Sequence, residues 1–259
     1  RADLIEPHIT NKTKAIVPVH LYGQSCQMDE ILLLAKKYDL KIIEDNAQAI
    51  GCKYTFSSGD VKFTGTIGDI GTTSFYPSKN LGCYGDGGAI FTNDNNLAEK
   101  IKMIVNHGEK IKYHHEMIGC NSRLDSIQAT ILNIKLNYLD EYNSNRKIMA
   151  NNYNLAFEEI DEIETPKLSF GSDHVYHQYT LSISNGKRDD FKKYLNNLGI
   201  PSMIYYPIPI HQQKPYFNDQ ILKNTEILSN KVISLPIHTE LENSNQDYII
   251  KTTLDFFNE

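Results

Sequence analysis

The sequence predicts an α/β protein built on a mixed, mostly parallel sheet. Two observations carry this. A strand–helix–strand unit spans residues 14–45, with β-branched apolar runs either side of a helical repeat. Two more strand-like runs, 69–75 and 88–92, then bracket a stretch rich in Pro, Ser, Asn and Gly. A strand–helix–strand unit favours parallel strands joined by a right-handed crossover.

The elements follow in order. Residues 14–20 (KAIVPVH) read as a buried strand, and Tyr22, Gly23 and Gln24 as a turn. Asp29 is a candidate N-cap for EILLLAKKYDL, whose apolar residues recur at helical spacing. The strand KIIED ends in Asp45, at the carboxyl end where open α/β sheets place ligands. Residues 51–66 read as a polar loop or hairpin. Asn95 is a candidate cap for LAEKIKMIVNHG, which Gly108 would end. Residues 109–121 read as irregular. A long helical pattern covers about 122–155, and Pro166 marks a boundary. A strand near 177–183, a helix near 189–198, a Pro-rich segment at 206–209 and a closing helix from Ser244 complete the chain. The expected organisation is a major domain within 1–140 and a smaller α+β domain over 141–259, entered through the long helix.

Composition narrows the function. The 259 residues are 40% hydrophobic and 22% charged, with a net charge of −6, so nothing resembles a basic nucleic-acid surface. Cys26, Cys52, Cys83 and Cys120 form no CxxC pair, which fits a reducing compartment and argues against structural zinc. His20, His107, His174 and His177 have no metal-ligand spacing. There is no membrane-length apolar run and no signal-peptide pattern, so a cytoplasmic location is expected. The opening at Arg1, without methionine, reads as the later part of a longer protein.

The chemistry concentrates in SFYPSKNLGCYGDGGA, residues 74–89. It places one lysine, Lys79, in a turn after a strand, some thirty residues beyond Asp45. A lysine that forms a Schiff base and an acid that faces a pyridinium nitrogen are what pyridoxal 5′-phosphate (PLP) chemistry requires. The bland alternatives are a solvated lysine and a strand-end or capping acid. Gly85, Gly87 and Gly88 read as a tight turn, not a nucleotide loop, because the strand–GxGxxG–helix context is absent.

With PVHLYGQ (18–24), EDNAQAIG (44–51), GDIGTTSFYPSKNLGCYGDGGAIFTND (68–94), NHG (106–108), NSRLDSIQATIL (121–132), HVYHQYT (174–180), YYPIPIHQQ (205–213) and SLPIH (234–238) in this order, the chain resembles the DegT/DnrJ/EryC1/StrS sugar aminotransferases. The resemblance implies fold type I of the PLP enzymes. It also implies an N-terminal segment absent here, carrying the phosphate-binding turn and the aromatic that stacks on the cofactor.

The roles it implies are specific. Lys79 is the catalytic, cofactor-bearing lysine. Asp45 pairs with the ring nitrogen, and Gln48 contacts the ring. Ser74 bonds the phosphate, and Asn121 reaches the phosphate of a partner subunit in a homodimer. Tyr76, Tyr205 and Tyr206 face the sugar. Close relatives often carry His-Tyr where this chain has Tyr205-Tyr206. The plain alternatives are a surface amide for Gln48, a buried hydroxyl for Ser74, a helix N-cap for Asn121 and core tyrosines for the three aromatics. The implied reaction moves an amino group from L-glutamate to a nucleotide-linked keto sugar, with ping-pong kinetics and pyridoxamine phosphate as the carrier. The motif variants look most like enzymes acting at C3 of a dTDP-3-keto-6-deoxyhexose, in amino-sugar supply for surface polysaccharide such as O-antigen. A UDP-linked sugar or attack at C4 is the near alternative. A catalytically silent sugar-binding regulator and a PLP-dependent dehydratase are the others; lysine rather than histidine at position 79 favours transamination.

Overall fold

The computed structural model describes residues 1–258. The strands are β1 (Ala15–Ile16), β2 (Lys41–Asp45), β3 (Lys53–Thr55), β4 (Val61–Phe63), β5 (Ile70–Ser74), β6 (Gly88–Phe91), β7 (Glu109–Ile111), β8 (His114–His115), β9 (Ile163–Glu164), β10 (Tyr179–Ile183) and β11 (Val232–Leu235). The helices are α1 (Met28–Tyr38), α2 (Asn95–Val105), α3 (Ser126–Lys135), α4 (Leu139–Phe157), α5 (Arg188–Asn197), α6 (Lys223–Ser229) and α7 (Asn243–Asn258). Among these no helix is long and apolar enough to cross a membrane.

The chain divides into two compact units, 1–143 with 168–177, and 144–167 with 178–259. The boundary falls inside α4. Residues 168–177 return to the first unit because their backbone pairs there. Thr55 N–H donates to Gly171 O at 2.7 Å, Asp173 N–H to Lys53 O at 3.0 Å, and Val175 N–H to Gly23 O at 2.9 Å.

The first unit is built on a sheet of order β1-β2-β5-β6. β1, β2 and β5 are parallel, and β6 runs back antiparallel to β5. Met28, Ile31 and Ala35, spaced by three and four, put one face of α1 in the core with Leu40, Ile42 and Tyr54. Alternation along β2 buries Ile42 and Glu44 on one face and leaves Asp45 half-buried on the other.

Glu44 is a fully buried carboxylate in this core. It survives there because four donors meet it. Its Oε1 accepts from the backbone N–H of Ile67 and Gly68, both at 2.7 Å. Its Oε2 accepts from Gly65 N–H at 2.8 Å and from His20 Nε2 at 2.9 Å. His20 Nδ1 accepts Cys26 N–H at 3.1 Å, so the ring proton sits on Nε2 and points at the carboxylate. Burial works to raise the Glu44 pKa, but the His20 and backbone hydrogen bonds prevail and hold it below its ordinary 4.5.

Helix starts differ from the sequence expectations in informative ways. Gln27, not Asp29, is the residue before α1. The Asp29 carboxylate instead accepts from Tyr54 Oη at 3.0 Å and from Ser57 N–H at 3.1 Å, tying α1 to the β3–β4 hairpin. Asp94, not Asn95, caps α2, accepting from Asn96 N–H and Leu97 N–H. The long pattern over 122–155 resolves into α3 and α4, with a 3₁₀ turn at Leu136–Tyr138 between them.

The second unit packs α4, α5 and α7 with the antiparallel sheet β11-β10-β9. Tyr153, fully buried, stacks near Phe157 and Tyr179 and donates its hydroxyl to Pro236 O at 2.9 Å. Phe191 meets Phe256 and Phe257.

His20→Ala leaves a buried carboxylate short of its side-chain donor. Losing a hydrogen bond to a charged group costs about 1.5–3 kcal/mol, read as a lower denaturation midpoint by far-ultraviolet circular dichroism. A loss below about 1 kcal/mol contradicts this account of Glu44. Because the folded pKa is depressed, the Glu44 contribution is fully present above pH 4.5 and declines as the pH falls below it. Glu44→Gln should flatten that part of the stability profile.

Candidate active site

β2 and β5 are neighbouring parallel strands, with Asp45 opposite Thr72. Their last residues, Asp45 and Ser74, therefore stand at the same carboxyl edge of the sheet. The chain leaves β5 through the Lys79 turn and returns as β6, with Ser74 paired to Gly88. Asp45 is fixed on both sides of its backbone: its N–H donates to Pro18 O at 2.9 Å, and its carbonyl accepts His20 N–H at 3.0 Å. One carboxylate oxygen, Oδ1, accepts Ala47 N–H at 3.1 Å and shapes the turn that follows.

The Lys79 turn is braced at its base and along its length. Phe75 N–H donates to Gly87 O and Cys83 N–H to Phe75 O, both at 2.8 Å. The buried Cys83 thiol sits 2.9 Å from both Phe75 O and Gly85 O. Lys79 N–H donates to Tyr76 O at 2.9 Å. Gly82 is required sterically, since a Cβ there would lie 2.5 Å from Pro77 O. From α3, Gln128 Oε1 accepts Tyr84 N–H at 2.7 Å, and Lys135 Nζ donates to Gly82 O at 2.6 Å. Lys79 is half-buried in this frame. Burial pushes its ammonium below the usual lysine range, and the nearby negative charge of Asp45 opposes that shift.

The other residues singled out by the sequence sit as follows. Ser74 is half-buried, and its Oγ accepts Tyr76 N–H at 3.2 Å. Gln48 lies in the turn after β2 with its Oε1 taken by Tyr22 N–H at 2.6 Å, where Tyr22 has a φ of 60°. Tyr76 is 54% exposed beside the lysine turn. Asn121 is exposed, bridges Asn106 across the backbone and accepts Arg123 Nε at 3.1 Å. It is not the cap of α3; Asp125 is, accepting Gln128 N–H at 2.9 Å. Tyr205 and Tyr206 belong to the second unit, with ring centroids 5.6 Å apart in an edge-to-face arrangement. Thus Asp45, Ser74 and Lys79 share one edge of the first unit's sheet, with Gln48 in the adjoining turn. The sequence reading passed over Glu44 and Asn80. A carboxylate in phase with Ile42 on a buried strand face was the signal for the first; nothing local distinguished the second.

Residues 1–253 match the DegT/DnrJ/EryC1/StrS aminotransferase family. The chain belongs to this family. It is 43% identical to a pleiotropic regulatory protein of Geobacillus stearothermophilus, over 98% of this chain and 68% of that one. It is 44% identical to a UDP-N-acetyl-3-dehydro-alpha-D-glucosamine 3-aminotransferase of Acidithiobacillus ferrooxidans, over 92% of this chain and 63% of the relative. The crystal structure of S. venezuelae DesV in complex with a ketimine intermediate superposes with a TM-score of 0.94 at 37% identity, covering all of this chain and 69% of DesV. The chain therefore spans about two thirds of the length of the relatives it matches, and its fold is that of the PLP-dependent sugar aminotransferases.

The cofactor of this family is PLP, and the donor set fits it. The half-buried amine of Lys79 matches the cofactor's aldehyde. The Asp45 carboxylate matches a protonated pyridine nitrogen, and the Ser74 hydroxyl matches a phosphate oxygen. Among the described residues, no cluster of three His, Cys, Asp or Glu could hold a metal.

Gln48→Ala removes the acceptor for Tyr22 N–H. Leaving that part-buried donor unpaired should cost about 1–3 kcal/mol in urea unfolding. An unchanged midpoint would show that Gln48 does not hold this turn.

Proposed function

We propose that the protein acts in the cytoplasm as a PLP-dependent aminotransferase, taking nitrogen from L-glutamate and delivering it to C3 of a nucleotide-linked 3-keto sugar. The single observation that carries this reading is the half-buried Lys79 in the turn at the carboxyl edge that also holds Asp45 and Ser74. PLP, when bound, supplies an electron sink for a proton removed next to the amino nitrogen.

The residues of this chain do the rest. A lysine whose ammonium is disfavoured by burial has more of its Nζ neutral near pH 7. That suits it both to hold a carbonyl cofactor covalently and, once released, to take a proton at one carbon and return it at another. Asp45 keeps a ring-nitrogen proton in place by its negative charge. The Ser74 hydroxyl donates to phosphate, and Gln48 packs or bonds against the ring. Asn121 reaches the phosphate of a partner subunit, which makes the active form a homodimer with shared sites. Tyr76, Tyr205 and Tyr206 offer rings with polar tips to the sugar.

The substrate favoured by the motif variants is a dTDP-3-keto-6-deoxyhexose, serving amino-sugar supply for a surface polysaccharide. The name of the Acidithiobacillus relative supports a UDP-linked 3-keto sugar as the competing substrate. The name of the Geobacillus relative, a pleiotropic regulatory protein, supports a second reading, a catalytically silent regulator.

Wild-type protein and Lys79→Ala decide between these readings. The expected result is glutamate-dependent formation of 2-oxoglutarate with one of the two nucleotide sugars, lowered at least ~10³-fold by Lys79→Ala, as for removal of a covalent catalytic group. Turnover that survives Lys79→Ala would remove Lys79 from its catalytic role, and no turnover in wild type with either sugar would sink the enzyme reading. Tight sugar binding without turnover in either protein would support the regulator. Asp45→Asn should retain bound cofactor but lose at least ~10-fold in kcat, in line with loss of one charged partner; full activity would remove Asp45 from its role.

A further inference from the structure

The turn that carries Lys79 is held in place at its centre by one buried amide. Asn80, 6% exposed, donates from Nδ2 to Asn143 Oδ1 at 2.8 Å and to Val175 O at 3.0 Å. Asn143, also buried, donates from its own Nδ2 to Ile50 O at 3.1 Å. Three separate stretches of the first unit converge on this pair: the lysine turn, the turn that follows Asp45 and Gln48, and the returning strap at Val175. Gly51 makes the approach possible. Its φ is +82°, and a Cβ there would lie 2.5 Å from Asn143 Nδ2.

We infer that Asn80 and Asn143 are positioning residues that fix the Lys79 turn against the segment carrying Asp45 and Gln48. The inference rests on the reading of Lys79 as the cofactor lysine. Neither asparagine needs to touch cofactor or substrate. Apart from the Asn80 bond to Val175 O, the other braces on the turn described above act within 74–88 or come from α3; the relay from Asn80 through Asn143 to Ile50 O links the turn to the segment that follows Asp45 and Gln48. A buried amide that spans two catalytic segments acts through geometry, because a displacement near 1 Å at a reacting group is enough to slow chemistry about 10²-fold.

The test uses the full chain as wild type, Asn80→Ala, Gly51→Ala and Ile233→Val. Gly51→Ala displaces Asn143 without altering Asn80 or Lys79. Ile233→Val is a mild core deletion in the second unit and controls for lost stability alone. Two readouts are taken on folded protein. The first is the pH midpoint for acylation of Lys79 by a small amine-reactive acylating reagent without cofactor, read by peptide mass spectrometry. The second is the rate of borohydride trapping of PLP on Lys79.

In both Asn80→Ala and Gly51→Ala the midpoint should move up toward that of an exposed lysine, and trapping should slow at least tenfold. Ile233→Val should leave both unchanged. Wild-type values in Asn80→Ala and Gly51→Ala overturn the inference, as does an equal effect of Ile233→Val. If wild-type Lys79 takes no PLP while its midpoint still moves in the two variants, the cofactor reading fails and the positioning of the turn stands.

Discussion

The buried carboxylate of Glu44 is the constraint on which the first unit depends. An ion in a protein core is tolerated only when its lone pairs are met, and here four donors meet them. The donors come from both sides of β2. His20 follows β1, and Gly65, Ile67 and Gly68 lead into β5. One side chain therefore pins three successive stretches of the sheet. Because strand residues alternate faces, pinning Glu44 inward commits Asp45 to the other face, at the edge where Ser74 and the Lys79 turn emerge.

The lysine turn shows the same logic on a smaller scale. A turn with four glycines, Gly82, Gly85, Gly87 and Gly88, has many conformations to lose, and specific bonds must offset that loss. Those bonds are backbone closures at Phe75, the Cys83 thiol between two carbonyls, two side chains of α3 and the Asn80–Asn143 pair. The result is an amine held half out of water near a carboxylate. That combination disfavours the ammonium without removing the opposite charge from its surroundings. Such a state would suit the role proposed for Lys79, as a nucleophile and as a proton carrier.

Much of this was legible in the sequence. The strand–helix–strand unit at 14–45, the strands flanking the lysine turn and the closing helix were readable from apolar periodicity, and the ordered motifs pointed to the family. What was not legible depended on tertiary partners. Asp29 has the residue type of an N-cap, but Tyr54 and Ser57, distant in sequence, claim its carboxylate. Asp94 caps α2 in place of Asn95, a shift of one residue that periodicity does not resolve. The long pattern over 122–155 hides a 3₁₀ break, because a 3₁₀ turn keeps nearly the same spacing of apolar residues. Asn121 had two open readings, and Asp125 occupies the cap position that one of them required. Asn80 is invisible to local rules, since its partners lie 63 and 95 residues away.

On the proposed function, Lys79 sits in a frame that holds PLP and passes nitrogen through it. The most direct measurement is the visible absorption spectrum of the purified chain titrated with PLP, recorded before and after L-glutamate. The expected result is a saturable band that glutamate bleaches, with one 2-oxoglutarate released per bound cofactor. A folded chain that shows no band at saturating PLP, or a band that glutamate leaves untouched, would contradict it.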